Sequence, residues 1–457
     1  MIFDLVIRNG SIISFEKESI PENSNIGIYD GKIITISKNS LKGKVTIDAS
    51  NLVISPGFID FHSHINGRYF SAECALRQGV TTTIGGERVF EYDLIRQIAE
   101  KGFLINQGLY ISYSFTLRKA VGLHDPNQKA TKKEISNMTN LAERFLQFGV
   151  LGIHFGLEYM PATTEEELES LFSLAKKYNK IAMVHLRRDG YEALKSLEEV
   201  IRIAKKTDAA INILHVIYMA GLNGLLDNFL KIINKARKDG CNIIADTGVY
   251  AAYPTLAGSM TLGDNWINKY ASKVSEKNLL ISSGIYAGQF CDKEFFKYIR
   301  NEYPATLITA FVFDEAMIPK AITPEYMMIS TNSGYGPHCE GIGHPESTGT
   351  FPKLIHEYVK KKPILTLEDA IKKISYLPAK MLGLEKKGNI KEGMDADITI
   401  FNLDNLSPKS NYINCGNPTT PPEGIEYVII NGNVVLNQGH ILLEKRHCGS
   451  LIINPSL

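Results

Sequence analysis

Residues 56–64 read PGFIDFHSH, a short apolar stretch that ends in two histidines. Seven more short apolar runs follow along the chain, alternating with longer amphipathic stretches that have apolar residues at three- to four-residue spacing. This alternation predicts βα units around a parallel sheet, and eight strands are the number that closes a (β/α)8 barrel. The predicted strands are 57–61, 81–85, 108–112, 151–156, 181–185, 211–215, 242–246 and 327–331.

The two ends of the chain carry a different pattern. Short runs of alternating apolar residues are broken by Asn9-Gly10 and Asp30-Gly31 near the start, and by Asn431-Gly432 near the end. Because these dipeptides are hairpin turn signals, both ends predict antiparallel strands that form one small β-sandwich domain.

We therefore expect an α/β chain in which a TIM-like (β/α)8 barrel carries a small β-sandwich formed from both chain termini. The stretch between the seventh and eighth strands is too long for one helix, so it predicts an insertion or lid over the barrel mouth. The predicted parts are residues 1–55 plus 386–457 for the sandwich, 56–385 for the barrel, and an insertion around 254–322.

Length, charge and cysteine use limit the function classes. The 457 residues exceed the ~250–300 that one hydrophobic core supports, in agreement with a barrel plus a second unit. Lys plus Arg number 50 against 49 for Asp plus Glu, which leaves no electrostatic footprint for nucleic acid or a membrane surface. No run approaches the ~18 apolar residues of a membrane span. The six cysteines lack CxxC spacing, so we expect reduced thiols and a cytoplasmic protein.

Four histidines lie where predicted barrel strands end. His62 and His64 follow the first strand, His185 ends the fifth and His215 ends the sixth. Side chains at the carboxyl ends of barrel strands converge on one mouth, and imidazole is a ligand for Zn, Fe, Ni or Mn. Each histidine alone could be an ordinary buried residue, but the set predicts a one- or two-metal centre that activates water. Asp60 is the expected hydrogen-bond acceptor or structural anchor beside this centre.

Residues 56–64 resemble the first-strand motif of the amidohydrolase superfamily, and residues 387–398 resemble the stretch where these chains re-enter the small β-sandwich. Five further motifs are similar to the N-acyl-D-amino-acid deacylase (D-aminoacylase) branch. They are GLEYMP at 156–161, HLR at 185–187, YPTLAGS at 253–259, HPESTGTFP at 344–352 and PPEGI at 421–425. The resemblance covers nearly the whole chain and implies metal-dependent cleavage of the C–N amide bond of a small N-acyl compound.

The resemblance also implies a metal-ligand set. That family holds zinc with the histidines of strands five and six and a strand-two cysteine, and it keeps the HxH pair for a second, weaker site. His185 and His215 match the first set, whereas His62 and His64 match the second. We therefore expect one or two divalent ions, with Zn²⁺ the leading candidate.

The strand-two position departs from the family because no cysteine is present there. Glu87 is the nearest residue that can bind a metal, and a carboxylate can bridge two ions as a thiolate can. The alternative for Glu87 is a surface ion pair with Arg88. His154, near the end of strand four, is expected to pack beside the centre rather than to bind the ion.

The general base also departs from the family pattern. Amidohydrolases use an aspartate at the end of strand eight, and here that position holds Asn332 or Ser333. Because an amide or hydroxyl is not basic near neutral pH, either another carboxylate reaches in or the reaction is not ordinary amide hydrolysis. The possible substitutes are Asp246, Asp314, Glu340, and Glu87 if it is not a ligand.

The substrate positions are partly retained. Tyr159, Tyr253 and Ser259 match the substrate-binding positions of the family. Ile217 and Glu346 stand where the family has the Lys and Arg that grip the substrate carboxylate, although Glu346 could instead be a solvated loop acid. These changes favour a neutral or cationic group on the substrate. An alternative contact for a carboxylate comes from Arg187 or Arg188.

Three hypotheses follow. The leading one is a metal-dependent amidohydrolase that acts on a small-molecule substrate with atypical specificity, possible as a homo-oligomer. The second keeps the metal but replaces hydrolysis by a lyase or isomerase step, because of Asn332. The third is a non-catalytic homologue, against which the four retained histidines argue.

Overall fold

Eight strands of the computed structural model form the wall of the barrel. The structure describes residues 1–16, 23–65, 68–86, 100–270, 274–333 and 340–454. The strands are β1 (Phe58–Asp60), β2 (Val80–Gly85), β3 in two pieces (Asn106–Leu109 and Ile111–Ser112), β4 (Gly152–Gly156), β5 (Ile181–His185), β6 (Ile211–Ile213), β7 (Ile243–Thr247) and β8 (Met327–Ile329). Each falls on a predicted strand, so the predicted fold class is confirmed.

The strands pair side by side in chain order, and all of these pairs are parallel. The ring closes beyond the ends of β8 and β1. There the Asn332 amide donates to the His62 carbonyl at 2.9 Å, and the His64 amide donates to the Ser333 carbonyl at 2.6 Å. The closure therefore brings the two histidines that follow β1 directly against the segment that follows β8.

Helices cover the outside of the barrel, and their apolar faces pack on the strands. Three of the helices formed by the amphipathic stretches are Glu165–Lys177, Ala193–Thr207 and Leu225–Lys238. The first begins with a capping box, in which Thr164 and Glu167 bond each other's backbone amides. The other α-helices are Tyr69–Arg77, Arg118–Ala120, Lys132–Phe148, Val216–Ala220, Lys293–Glu302, Ile318–Ile322, Glu346–Ile355, Leu367–Ile374 and Tyr376–Met381. Among the described helices, none is long and apolar enough to cross a membrane.

Two sheets form the small domain. One has the order Lys32–Ser37, Asn25–Tyr29, Phe3–Arg8 and Gly43–Asp48. The other has the order Ser11–Ile12, Val53–Pro56, Ile398–Phe401, Ile425–Ile430, Asn433–Asn437 and His440–Ile441, so it joins strands from both ends of the chain. Fully buried side chains, including Ile7, Ile28, Ile54 and Ile398, fill the space between the sheets. The division of the chain at 55/56 and 385/386 stays a prediction.

The chain between β7 and β8 builds a small unit on the barrel mouth. Its centre is an antiparallel sheet with the order Tyr253–Leu256, Leu307–Ala310 and Leu279–Ile281. Along the chain, a short 3-10 helix, Trp266–Lys269, lies between the strands Tyr253–Leu256 and Leu279–Ile281. We call the whole of residues 253–322 the insertion.

Candidate metal centre

A pocket opens at the carboxyl ends of the barrel strands, under the insertion. It contains seven of the predicted site residues. These are His62, His64, Tyr159, His185, His215, Tyr253 and Asn332. The other lining residues are His154, Glu158, Asp189, Tyr218, Met219, Pro254, Thr255 and Thr261.

The histidines of β5 and β6 face each other across this pocket. His185 is the last residue of β5, and His215 follows β6 in the left-handed region, with φ 34°. This turn directs the His215 ring towards β5, and its Nε2 lies 3.1 Å from Nδ1 of His185. Two imidazole nitrogens on one tetrahedral zinc, with Zn–N of about 2.0–2.1 Å, lie about 3.3 Å apart. The pair therefore fits a metal held by His185 Nδ1 and His215 Nε2.

Glu158 orients the first of these rings. It lies in the short 3-10 helix Leu157–Tyr159 after β4, and its Oε2 is 3.1 Å from Nε2 of His185. The carboxylate keeps a proton on Nε2 and leaves the Nδ1 lone pair directed at His215, as in many metal sites where a carboxylate supports a histidine ligand. Burial acts to raise the pKa of Glu158, but the hydrogen bond with His185 and the charge of Lys269 outweigh it. The pKa of this carboxyl is therefore held well below its ordinary value.

Burial also keeps His215 neutral. Its side chain is surrounded by protein, and burial together with the rings of His185 and His62 holds its pKa well below the ordinary value. Within the described residues, Nδ1 of His215 and Nδ1 of His62 have no hydrogen-bond partner. Neutral imidazole is the form that binds a metal, so the electrostatics of the site favour the ligand state.

The pair after β1 is held differently. The rings of His62 and His64 are 5.4 Å apart, and Nδ1 of His62 is 3.6 Å from Oδ1 of Asp246. Asp246 itself accepts hydrogen bonds from Asn212, Ser330 and the His215 amide, at 2.6, 2.6 and 3.1 Å. Burial acts to raise the pKa of Asp246, but the contact with His62 and these hydrogen bonds lower it overall. An ionised Asp246 therefore joins β7 to the histidines.

Asp60 is the structural anchor on this side. Its two oxygens accept from the amide and hydroxyl of Thr331, at 3.0 and 2.6 Å, and so connect β1 with the end of β8. Burial raises its pKa to about 7, although the hydrogen bonds with Thr331 oppose the shift.

The predicted third ligand, Glu87, lies outside the described residues, as does Arg88. Among the ranges that the structure describes, no three His, Cys, Asp or Glu side chains are arranged to hold an ion. The described residues therefore supply the facing histidine pair, and Glu87 stays the prediction for completing it.

Comparison with known proteins agrees with this geometry. A family model described as "Amidohydrolase family" matches residues 53–287, and a second with the same description matches residues 344–436. The chain belongs to the amidohydrolase family. It is 28% identical over 479 aligned residues to the D-aminoacylase of Alcaligenes xylosoxydans xylosoxydans, with 94% of each chain covered.

Solved structures show the same fold. The N-acyl-D-glutamate deacylase from Bordetella bronchiseptica, complexed with zinc and a phosphonate inhibitor, superposes with a TM-score of 0.86 at 21% identity, covering 99% of this chain and 100% of that one. A D-aminoacylase studied for its binuclear metal centre superposes with a TM-score of 0.85 at 22% identity, with the same coverage. The resemblance to the D-aminoacylase branch is thus confirmed.

In this amidohydrolase, Asn332 occupies the mouth at the end of β8. It has φ 53°, a left-handed conformation that Asn and Asp tolerate best after Gly, and its Oδ1 lies 3.1 Å from Nε2 of His64. Of the suggested substitute bases, Asp246 lies beside the histidines but its oxygens are occupied. Asp314 caps a 3-10 turn through the Ala316 amide, and Glu340 is exposed.

The predicted substrate residues divide into two groups. Tyr159 packs over His185 with a ring separation of 5.1 Å, and the hydroxyl of Tyr253 is 3.1 Å from that of Tyr270. Ser259 lies outside the pocket lining, where it accepts a hydrogen bond from Thr255 at 3.0 Å.

Arg187 is also directed away from the pocket lining. Its guanidinium bonds both oxygens of Glu199, at 3.0 and 2.7 Å, and the carbonyls of Pro161 and Thr163. With these contacts made, Arg187 joins the loops after β4 and β5 and has a structural role. Arg188 is partly exposed, and its Nε lies 3.8 Å from Oε2 of Glu192.

Glu346 differs from the expectation of a negative charge in the pocket. It is 1% exposed, and its Oε2 accepts a hydrogen bond of 2.7 Å from the Tyr218 hydroxyl. Burial raises the pKa of Glu346 well above its ordinary value, because few partners stabilise the charge. The carboxyl therefore favours its neutral form and supports Tyr218 from behind, rather than acting as a solvated loop acid.

Three charged residues of the site were missed from the sequence: Glu158, Asp189 and Lys269. Nζ of Lys269 lies 2.6 Å from Oε1 of Glu158 and 3.0 Å from Oδ1 of Asp189. Glu158 had a signal, since it directly precedes Tyr159 in the motif at 156–161. Lys269 had none, because it belongs to the insertion and reaches the centre only in the folded chain.

Proposed function

We propose that this amidohydrolase uses a bound divalent metal, Zn²⁺ as the leading candidate, to cleave the C–N amide bond of a small N-acyl compound. The observation that carries the proposal is the facing pair of His185 Nδ1 and His215 Nε2 at 3.1 Å, supported by Glu158. The D-aminoacylase relative at 28% identity supports amide hydrolysis rather than a lyase or isomerase step, or a non-catalytic role.

His185 and His215 would hold the ion, with Glu87 as the proposed third ligand. When bound, the metal polarises the amide carbonyl and lowers the pKa of water. Glu158 keeps the His185 ring in the correct orientation before the substrate arrives, so no reorganisation is needed during the reaction. His62 and His64 are the proposed ligands of a second ion.

Proton transfer is where this chain departs from its relatives. Asn332 stands at the mouth, but an amide cannot accept a proton from water near neutral pH. Its carbonyl can accept a hydrogen bond from Nε2 of His64, which keeps both side chains oriented towards the pocket. We infer that Asn332 positions His64 and that the chain works without a carboxylate at this place.

The described part of the pocket favours a neutral or cationic group on the substrate. Its charged lining residues are Glu158 and Asp189, and within the described ranges no Arg or Lys belongs to the lining. Lys269 stands between the two carboxylates and offsets only one of them. Tyr159 and Tyr253 supply amphipathic walls that suit a small acyl or amine group.

The test is turnover by the zinc-loaded protein. Matched sets of N-acyl-D-amino acids, N-acyl-L-amino acids and N-acyl amines would be incubated with the protein, and release of the free amine would be measured. We expect turnover, with neutral N-acyl amines preferred over their carboxylate counterparts, and none from a His185→Ala control. A complete lack of turnover at full metal occupancy would contradict the proposal.

We further propose that the enzyme works in the cytoplasm on a small-molecule substrate, either alone or as a homo-oligomer. The five described cysteines are all free thiols, which supports a reducing compartment.

A further inference from the structure

Lys269 of the insertion is fully engaged inside the site. Its side chain is 14% exposed. Its ammonium donates hydrogen bonds to Oε1 of Glu158 at 2.6 Å and to the Thr261 carbonyl at 3.1 Å, and it forms an ion pair with Oδ1 of Asp189 at 3.0 Å. Lys269 would have to leave two carboxylates before it could contact a substrate.

The backbone fixes Lys269 against the loop that follows β5. Gly190 has φ 60°, and a Cβ there would lie 2.0 Å from the Lys269 carbonyl oxygen, so only glycine permits this approach. The next residue, Tyr270, donates a hydrogen bond to Oδ2 of Asp189. The insertion is therefore held to the loop after β5 at Lys269 and at the residue that follows it.

Glu158 transmits the position of Lys269 to the metal ligand. One carboxylate oxygen, Oε1, is held by Lys269, and the other, Oε2, accepts from the Thr261 hydroxyl at 3.0 Å and lies 3.1 Å from Nε2 of His185. The carboxylate therefore has one preferred orientation. Both Lys269 and Thr261 belong to the insertion, so the insertion determines how the ring of a barrel residue is oriented.

We propose that Lys269 is a positioning residue of the metal centre, which acts through Glu158 to hold His185 with Nδ1 directed at the ion. The inference rests on the proposed metal at His185 and His215. It assigns the insertion a part in building the metal centre, in addition to covering the pocket.

The test is a double-mutant cycle on zinc affinity, measured by chelator competition on the full-length protein without substrate. Lys269→Met should weaken zinc binding by roughly 10- to 100-fold, the usual effect of losing a residue that supports a ligand. In a Glu158→Gln background, the same substitution should change the affinity by less than about threefold, since its route to His185 is gone. Lys269→Arg should restore part of the affinity.

Lys297→Met is the matched control, because Lys297 is exposed on the helix Lys293–Glu302 of the same insertion. It should leave zinc affinity and the visible spectrum of the cobalt(II)-substituted protein unchanged, whereas Lys269→Met should shift the cobalt bands. If Lys269→Met does not fold, Lys269→Gln enters the same cycle.

Additive effects in the cycle, or wild-type zinc affinity in Lys269→Met, would overturn the proposal. A raised KM with unchanged zinc affinity would also overturn it and would make Lys269 a substrate contact. The proposed function is tested separately: a protein that binds zinc with coupled Lys269 and Glu158, but cleaves no amide, retains this inference and loses amide hydrolysis.

Discussion

The two histidine pairs at the barrel mouth have the same side chains and different surroundings. His185 and His215 direct nitrogens at each other across 3.1 Å, and Glu158 supports His185 from behind. His62 and His64 instead face groups on β7 and the segment after β8, with Nε2 of His64 hydrogen-bonded to the side-chain oxygen Oδ1 of Asn332. The first pair fits the proposed shared ion, whereas the second pair, the proposed ligands of a second ion, is held by its neighbours.

This difference shows that side chains of one type can be held in different ways at one barrel mouth. What separates the pairs is the partner of the second ring nitrogen, which sets the tautomer and the direction of the lone pair. In the β5–β6 pair, Nε2 of His185 has a carboxylate held by the insertion as that partner, and Nδ1 of His215 has no hydrogen-bond partner among the described residues. The β1 pair depends on the closure between β1 and β8, where Asn332 stands.

The largest expected effect separates the two pairs directly. His215→Ala should abolish tight zinc binding, a greater loss than the roughly 10- to 100-fold typical of removing a residue that only supports a ligand. His64→Ala should keep one tightly bound ion. Metal content after dialysis, measured by elemental analysis, checks both variants, and retention of one zinc by His215→Ala would break the comparison.

The next effect concerns the side where Asn332 stands. Asn332→Asp places a carboxylate beside His64 and should raise kcat for amide hydrolysis by roughly 10²- to 10⁴-fold, the usual contribution of a general base. Asn332→Gly, which suits the left-handed backbone but adds no base, should give no increase. The pH–rate profile of the Asp variant should also gain an acidic limb, which reports protonation of the new carboxylate. An unchanged rate would show that another group already takes the proton.

The smallest effect is a difference in pH dependence. Asp60 has its pKa raised to about 7 by burial, so its folded state binds a proton that the unfolded chain releases. Its contribution to stability is therefore present at acid pH and is lost as pH rises through about 7. Between about pH 5 and pH 7, the free energy of unfolding of the metal-free wild type should fall by on the order of 2 kcal/mol relative to that of Asp60→Asn. This follows from about 1.4 kcal/mol for each unit of pKa difference.

Glu158→Gln is the contrasting variant for this measurement. The pKa of Glu158 is lowered, so this group is ionised in both folded and unfolded chains across the same window. In denaturant unfolding, the difference in free energy of unfolding between wild type and Asp60→Asn should change with pH. The same difference between wild type and Glu158→Gln should not change with pH. Equal slopes would mean that the two sides of the mouth are electrostatically alike.

The strands and the candidate ligands could be predicted because their signals are local. Buried parallel strands show as short apolar runs, and a barrel places whatever follows each run at the same mouth. His62, His64, His185 and His215 were therefore found from position alone. Tyr159 and Tyr253 were found through resemblance to a family whose motifs are local as well.

The charged residues around the ligands could not be predicted in the same way. Arg187 was expected near the substrate, but its fork-shaped guanidinium meets Glu199 on the helix that follows β5. Glu346 was expected to be charged, but its carboxyl is buried against Tyr218, and burial raises its pKa. Charge and hydrogen-bond direction depend on what surrounds a group, and sequence spacing does not contain that information.

The sequence by itself determined the order of strands, the sandwich made from both ends and the histidines that reach the barrel mouth, because side-chain period and strand-end position are properties of neighbouring residues. Only the tertiary structure decided which of those histidines face each other and what holds them. His185 meets Glu158, which lies 27 residues away in the chain, and Glu158 meets Lys269, which lies 111 residues away. The second contact exists only when the insertion packs on the barrel. The metal chemistry is therefore encoded locally, and its orientation is set by long-range packing.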